Sequence, residues 1–134
     1  DVGCGSGILS VAALLLGAKS AVGVDIDEMA VKTAKENAVL NGVEDRFTVL
    51  AGNLTDKVEG KYNVVAANIV ADAIIMLSKD IKNYMYDDSV YIMSGIIDTR
   101  VDDVLNAIGD TFEIKEKLLE NGWCCLVATL KEEK

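Results

Sequence analysis

The chain has 134 residues, 51% of them hydrophobic, and a formal net charge of −9 from 22 acidic and 13 basic residues. This length and composition suit one globular domain with a real core. The acidic balance argues against a broad nucleic-acid interface, and no apolar run is long enough to cross a membrane. The absence of histidine excludes Ser-His-Asp catalysis, Cys-His catalysis and histidine-ligated zinc.

The three cysteines give no sign of a metal site or a disulfide framework. Cys4 stands alone, and Cys124 and Cys125 are adjacent, which is not a metal-ligand spacing. An odd count without a framework favours a reducing, cytoplasmic setting. We therefore predict no metal, and we interpret Cys124 and Cys125 as core packing.

The chain begins in a glycine-rich loop. Gly3, Gly5 and Gly7 occupy alternate positions, and an apolar run from Ile8 follows them directly. This pattern is typical of a strand that turns sharply into a helix and exposes its backbone to a ligand, since glycine permits unusual dihedrals and close approach. No apolar run leads into Asp1, so we expect a sequence cut at the edge of its own binding site.

Strands and helices alternate along most of the chain. Apolar periodicity predicts helices over 8–16, 28–40, 71–84 and 101–108, and strands over 21–24, 47–51, 64–68 and 90–94. We predict that helix 8–16, which is apolar nearly all round, is buried against a sheet, that strand 64–68 is central, and that Asp87-Asp88 form a turn. A hairpin of 112–119 and 123–130, joined at Asn121-Gly122, precedes a charged tail over 131–134.

This alternation predicts an α/β fold, a doubly wound and mostly parallel sheet that ends in an antiparallel hairpin. In such sheets ligands bind outside the carboxyl ends of the strands. A dinucleotide fingerprint would need glycine at position 8, where this chain has Ile8. The G-x-G-x-G form is instead that of methyltransferases that use S-adenosylmethionine.

Three residues at strand ends complete the predicted cofactor site. Asp25 follows the predicted strand 21–24 directly. It would accept hydrogen bonds from both hydroxyls of a ribose, because a carboxylate is an acceptor-only, bidentate group. Helix capping is the alternative role, but Asp27 already fills it. Ile26 would cover one face of the adenine. Asn53, after Gly52, would bind the adenine edge, unless Gly52-Asn53 is only a turn.

Asn68 is the candidate catalytic residue. It follows four apolar residues at a strand end, where a polar group needs a partner. Its amide oxygen, or the adjacent carbonyl, would aim a substrate amine at the methyl group of the cofactor; bracing the loop is the alternative. Asp72 would either attract a cationic amine or begin a helix, and we favour the second. We expect Trp123 in the core or at its rim.

Several motifs together resemble one known family, the ribosomal protein L11 methyltransferases (PrmA type). The motifs are the glycine loop through Ser10, Gly23 to Asp27, Glu36-Asn37-Ala38, Asn41-Gly42-Val43, Ala67 to Asp72, and Ser94-Gly95-Ile96-Ile97. The resemblance implies a Rossmann-like class I methyltransferase in the cytoplasm. Such an enzyme transfers methyl groups from S-adenosylmethionine to lysine and N-terminal amino groups of a large-subunit ribosomal protein.

The resemblance also sets expectations for sites, domains and partners. Cofactor contacts carry over to Gly3, Asp25 and Asn68. Residues 1–134 would form the S-adenosylmethionine-binding methyltransferase domain, without the upstream threonine-bearing loop and without the substrate-recognition domain. We expect a monomer that binds a ribosomal protein and neither nucleic acid nor membrane. The alternatives are another class I methyltransferase (of protein glutamine, RNA or a small amine), a nicotinamide-dependent oxidoreductase, and a non-catalytic fragment.

Overall fold

The computed structural model describes residues 1–132, so the last two residues of the predicted tail, Glu133 and Lys134, lie outside the described part. The chain divides into two compact units, Asp1–Val58 and Glu59–Lys134. Within residues 1–132, none of the helices has both the length and the apolar character that crossing a bilayer requires.

The first unit packs two helices against two parallel strands. Its elements are α1 (Ile8–Leu15), β1 (Ala21–Asp25), α2 (Glu28–Leu40) and β2 (Phe47–Ala51). In the parallel ladder, Ala21 lies opposite Phe47 and Asp25 lies opposite Ala51. The core combines one face of each helix with the inward residues of β2: Val11, Leu14, Val31, Ala34, Ala38, Phe47 and Val49.

Helix α2 forms where the sequence predicts it, for local reasons. Asp27 caps its start, since the Met29 N–H donates to Asp27 Oδ1 at 2.9 Å. The predicted stripe Val31, Ala34 and Ala38 is buried, because these residues recur at the spacing of one helix face.

Helix α1 is buried on one face only. Only Ser10, Val11 and Leu14 are buried in it, whereas Ile8 and Leu16 are exposed. The helix packs beside the strands as predicted, with Val11 and Leu14 in one core with Phe47 and Val49, but its burial is limited to one face. A helix of two turns covers the neighbouring strands with one face only, and composition alone does not show which face that is.

The second unit is built on a four-stranded sheet in the order β3-β4-β6-β5. Its strands are β3 (Tyr62–Asn68), β4 (Met85–Ile97), β5 (Phe112–Glu120) and β6 (Trp123–Leu130). Strands β3 and β4 are parallel, and the other pairs are antiparallel. Strand β3 lies at one end of this order, next to β4, and its central position in the whole sheet stays a prediction.

Two helices and two short 3-10 turns join these strands. Helix α3 (Ala71–Ser78) and helix α4 (Val101–Ile108) follow β3 and β4, and the turns span Ile81–Tyr84 and Asp98–Arg100. The predicted helix 71–84 thus ends early. Ser78 Oγ donates to the Ile74 carbonyl at 2.6 Å, a side-chain bond that competes with the helical ladder, and Ile81 is buried in the following turn.

The predicted turn at Asp87-Asp88 was also wrong. Both residues lie inside strand β4, but Tyr62 pairs with Met85 whereas Val64 pairs with Val90. The intervening residues bulge out of the ladder. The bulge is closed by Ser89 Oγ, which accepts from the Tyr86 N–H at 2.8 Å and donates to the Tyr62 carbonyl at 2.6 Å.

The predicted hairpin of β5 and β6 is confirmed. Asn121 and Gly122 both have positive φ, 52° and 83°, as the tight turn between right-twisted strands requires. Glu120 pairs with Trp123 next to the turn. The Asp98 N–H donates to the Gly122 carbonyl at 2.9 Å, so the turn is bonded to the end of β4.

Candidate functional site

The glycine loop of the first unit is anchored to β1 by its main chain. The N–H groups of Gly3 and Cys4 both donate to the Val24 carbonyl, at 2.8 and 3.0 Å. Gly3, Gly5 and Gly7 have φ values of 70°, 54° and 79°, a region that side-chain-bearing residues rarely adopt. The loop therefore has a defined path that glycine alone follows without strain.

Two of these glycines are required for different reasons. A Cβ at Gly7 would lie 3.0 Å from Phe47 Cε2 and 3.1 Å from Ala34 Cβ, so Gly7 permits the close packing of the loop on β2 and α2. A Cβ at Gly5 would meet nothing within 4 Å. Gly5 thus faces open space that a ligand can approach.

Asp25 lies against this loop. Its Oδ2 accepts a hydrogen bond from the Gly5 N–H at 2.9 Å, and its Oδ1 accepts one from the Asp27 N–H at 2.9 Å. A carboxylate has about four acceptor positions, so each oxygen retains a lone pair for a ribose hydroxyl. Ile26, beside it, exposes 74% of its surface and offers an apolar face to a flat ring.

The turn that carries Asn53 is bonded to the end of β1. The Gly52 N–H donates to the Asp25 carbonyl at 3.0 Å. The Asn53 N–H donates to Asp56 Oδ1 at 2.9 Å, which engages that main-chain group within the turn. The Asn53 side chain is exposed and is the part of the residue that remains for a ligand edge. The structure thus brings Gly5, Asp25 and Asn53 together.

Asn37 is a residue of this region to which sequence reasoning gave no role. Its Nδ2 donates to the Ser6 carbonyl at 2.8 Å, across 31 residues of sequence. Helix α2 therefore provides the glycine loop with a second attachment, in addition to its anchor on β1. The motif Glu36-Asn37-Ala38 drew attention to the position, but no local spacing reveals a partner this distant.

Asn68, at the end of β3 in the second unit, is exposed and lies opposite Ser94 of β4. Its Oδ1 is 2.7 Å from the position that a Cβ on Gly95 would take. Gly95 has φ 77° and lies where the β4–β6 register shifts between Met93 and Ile96. The absence of a Gly95 side chain therefore makes room for the Asn68 amide, a dependence that the sequence did not show.

Asp72 lies in the first turn of α3 and forms an ion pair. Arg100 Nη2 approaches Asp72 Oδ1 at 2.5 Å, and Arg100 Nε approaches Asp103 Oδ2 at 2.7 Å. The Arg100 guanidinium lowers the pKa of Asp72. The favoured helix-start position is observed, and the carboxylate is engaged by a guanidinium.

The three cysteines are buried or partly buried. Burial raises the pKa of the Cys4, Cys124 and Cys125 thiols. Cys124 is buried and Cys125 is partly buried, in keeping with packing roles. Among residues 1–132, no group of three or more histidine, cysteine, aspartate or glutamate side chains is placed to hold a metal ion.

Comparison with known proteins decides the family. The model of the family "Ribosomal protein L11 methyltransferase (PrmA)" matches residues 1–131. The chain belongs to this family. A ribosomal protein L11 methyltransferase of Clostridium botulinum (strain Eklund 17B / Type B) is 47% identical over 132 residues, which are 98% of this chain and 42% of that protein. The chain thus spans well under half the length of the curated relatives it matches.

Solved structures agree with the fold expected of the PrmA family. The crystal structure of a ribosomal protein L11 methylase from Lactobacillus delbrueckii subsp. bulgaricus has a TM-score of 0.95 and 34% identity, covering 98% of this chain and 69% of that one. TrmK of M. capricolum, solved with S-adenosyl-homocysteine, has a TM-score of 0.80 and 18% identity, covering 99% of this chain and 61% of that one. The predicted class I methyltransferase fold and the predicted membership of the PrmA family are confirmed.

Proposed function

We propose that this chain is the methyltransferase domain of an enzyme that transfers methyl groups from S-adenosylmethionine to lysine and N-terminal amino groups of ribosomal protein L11. The family match over residues 1–131 supports the activity and the substrate. The observation that carries the proposal is the Gly5 N–H bonded to Asp25 Oδ2 at 2.9 Å. This bond places the Asp25 carboxylate beside Gly5, where a Cβ would meet no other atom within 4 Å, so a ligand can approach the main chain there.

Cofactor binding would use groups that the first unit already holds in place. Gly3, Gly5 and Gly7 would present their main chain to the ligand, and Asp25 would accept from the ribose hydroxyls with its remaining lone pairs. Ile26 would cover one face of the adenine, and the Asn53 side chain would bind its edge. Bound S-adenosylmethionine supplies a methyl group on a positively charged sulfur.

Asn68 would orient the acceptor amine. Methyl transfer needs a neutral nitrogen whose lone pair is aligned with the bond that breaks, so geometry supplies much of the acceleration. The Asn68 amide oxygen is an acceptor for an amine N–H, and it is exposed at a strand end where an incoming side chain can reach it. This role fits a chain that has no histidine to act as a base.

The proposed partner is a protein and not a nucleic acid. Lysine-bearing ribosomal protein is a cationic substrate, and a chain of net charge −9 attracts cations. We propose that the enzyme acts as a monomer in the cytoplasm, where its ribosomal substrate is made. The same charge disfavours an RNA substrate, the nearest alternative within the methyltransferase class.

A hybrid enzyme tests the function. In it, this chain replaces the matching 132-residue region of the Clostridium botulinum relative. We expect transfer of labelled methyl groups from S-adenosylmethionine to purified ribosomal protein L11, and none to bulk RNA. Methylation of RNA without methylation of the protein would contradict the proposal, as would a folded hybrid that methylates neither.

A further inference from the structure

One face of the β5–β6 hairpin combines exposed apolar side chains with carboxylates. Residues paired across antiparallel strands point to the same side of a sheet, and so do residues two apart along a strand. The pairs are Glu120 with Trp123 and Leu118 with Cys125, and Ile97 of β4 pairs with Trp123 in turn. Hereafter the hairpin face means Glu116, Leu118, Glu120, Trp123 and Ile97.

The apolar part of this face is large and open. Leu118, Trp123 and Ile97 expose 57%, 56% and 45% of their surfaces. Single exposed apolar residues need no explanation, whereas a contiguous apolar patch with a polar rim is typical of an interaction site. On the opposite face of the same strands, Cys124 and Ile96 are buried, so the two faces have different surroundings.

The rim of the hairpin face is acidic. Glu116 and Glu120 lie on the face itself, and Asp98 Oδ2 is 3.8 Å from where a Gly122 Cβ would be. Arg100, two residues beyond Asp98, is bonded to Asp72 and Asp103 and so does not neutralise the rim. An apolar patch with carboxylates around it matches a lysine side chain, which buries its aliphatic stem and keeps its ammonium among anions.

The position of the hairpin face connects it with Asn68. Asn68 pairs with Ser94, and Ile97, three residues further along β4, pairs with Trp123. Three residues of strand span roughly 10 Å. The turn is fixed at this edge by the 2.9 Å bond between the Asp98 N–H and the Gly122 carbonyl. The hairpin face thus borders the strand end that carries the candidate catalytic amide.

We propose that the hairpin face binds the lysine-bearing segment of the protein substrate next to the amine that accepts the methyl group. The proposal rests on the proposed function and extends it to substrate recognition. Asn68 and Trp123 are also two strand spacings apart across the sheet, so an extended segment would span roughly 14 Å and reach from one to the other in about four residues. Charge argues against the other occupants, because a second copy of this chain or a nucleic acid would bring like charges together.

The single tryptophan of the chain allows a direct test. The chain is labelled with 5-fluorotryptophan, saturated with S-adenosylhomocysteine and titrated with unlabelled ribosomal protein L11 while the fluorine resonance of Trp123 is followed. We expect a saturable shift of that resonance. Truncating a hot-spot residue typically weakens binding several-fold or more, so we expect Leu118→Ser to raise Kd about tenfold.

Matched variants separate this face from general effects. Leu119 exposes 60% of its surface but pairs with Cys124 on the opposite face, so Leu119→Ser should change Kd less than about twofold. Glu120→Lys should weaken binding about fivefold or more, whereas the same charge change at exposed Glu44, Glu44→Lys, should have less than half that effect.

Three outcomes would overturn the proposal: no shift on titration, equal weakening by Leu118→Ser and Leu119→Ser, or a shift that depends on the chain's own concentration without ribosomal protein. The affinity of each sample for S-adenosylhomocysteine is measured in parallel. If the affinity for S-adenosylhomocysteine equals that of the unaltered chain, any of these three outcomes rejects the docking proposal without affecting the proposed function. If the unaltered chain does not bind S-adenosylhomocysteine, the proposed function itself fails.

Discussion

The glycine loop of the first unit and the end of β3 in the second unit present their polar groups in different ways. The loop is held by long-range bonds, from Gly5 to Asp25 across 20 residues and from Asn37 to Ser6 across 31. At the end of β3, one exposed amide, Asn68, lies against a glycine in a bulge. The first region is prearranged to bind, so its substitutions should change affinity and stability. The second depends on one exposed side chain, so its substitution should change turnover with little change in stability.

The largest expected effect is on turnover. In the hybrid enzyme, Asn68→Ala should lower kcat about a hundredfold, because the acceptor amine loses the group that aligns it. The thermal midpoint should stay within about 1 °C, since surface substitutions change stability little. Asn63→Ala, at an exposed position of the same strand, is the control. An unchanged kcat in Asn68→Ala would contradict the claim that the end of β3 determines turnover.

Substitutions of Gly5 and Gly7 test whether one glycine of the loop serves ligand binding and the other serves packing. Gly7→Ala should cost about 3 kcal/mol of unfolding free energy, because a Cβ would overpack against Phe47 and Ala34 at positive φ. Gly5→Ala should cost about 1 kcal/mol for its φ alone, yet weaken S-adenosylhomocysteine binding more. Urea unfolding and calorimetry measure the two quantities. Equal stability losses would contradict the packing argument.

Alkaline pH should lower the stability of the chain through a buried tyrosine of the second unit, Tyr91. Burial raises the pKa of Tyr91 to about 12, although Ser78 Oγ lies 3.0 Å from its hydroxyl. The unfolded chain releases this proton near pH 10, so it binds fewer protons than the folded chain between pH 10 and 12. Stability should therefore fall through that window, by roughly 2 to 3 kcal/mol in all.

Tyr91→Phe should remove this part of the pH dependence, as measured by urea unfolding at pH 9 and pH 11.5. Tyr86→Phe is the control, because Tyr86 is exposed. The same loss of stability in Tyr91→Phe and in the unaltered chain would show that another group is responsible.

The smallest expected effect sharpens the account of the loop. Asn37→Ala should weaken S-adenosylhomocysteine binding about fivefold, because one hydrogen bond that holds the loop is worth roughly 1 kcal/mol. Asn41→Ala is the matched control, since Asn41 Nδ2 donates to the Asn37 carbonyl at 2.8 Å at the end of the same helix. Titration calorimetry compares them, and equal affinities would mean that the loop needs no support from α2.

Local chemistry predicted much of the fold. The Asp27 cap, the stripe of α2 and the Asn121-Gly122 turn each depend on residues within a few positions of one another. Prediction failed where distant residues compete with local preference. Residues 86–89 bulge because Ser89 bonds the distant Tyr62 carbonyl, and helix 71–84 stops at Ser78, whose Oγ lies 3.0 Å from the hydroxyl of the distant Tyr91.

The candidate site shows the same division. The types and strand-end positions of Gly5, Asp25 and Asn53 could be predicted, because parallel strands bring their carboxyl ends to one edge. The contacts of Asn37 with Ser6 and of Asn68 with Gly95 could not, since they join positions more than 25 residues apart. The ligand roles of all these residues stay predictions that binding measurements must test.

The central claim is that the glycine loop and Asp25 form an S-adenosylmethionine site. Titration calorimetry of this chain with S-adenosylhomocysteine and with NAD, repeated on Asp25→Ala, tests it most directly. We predict saturable binding of S-adenosylhomocysteine, none of NAD, and at least about a tenfold loss of affinity in Asp25→Ala, as expected when charged hydrogen bonds are removed. Saturable NAD binding without S-adenosylhomocysteine binding, or an unchanged affinity in Asp25→Ala, would contradict the account.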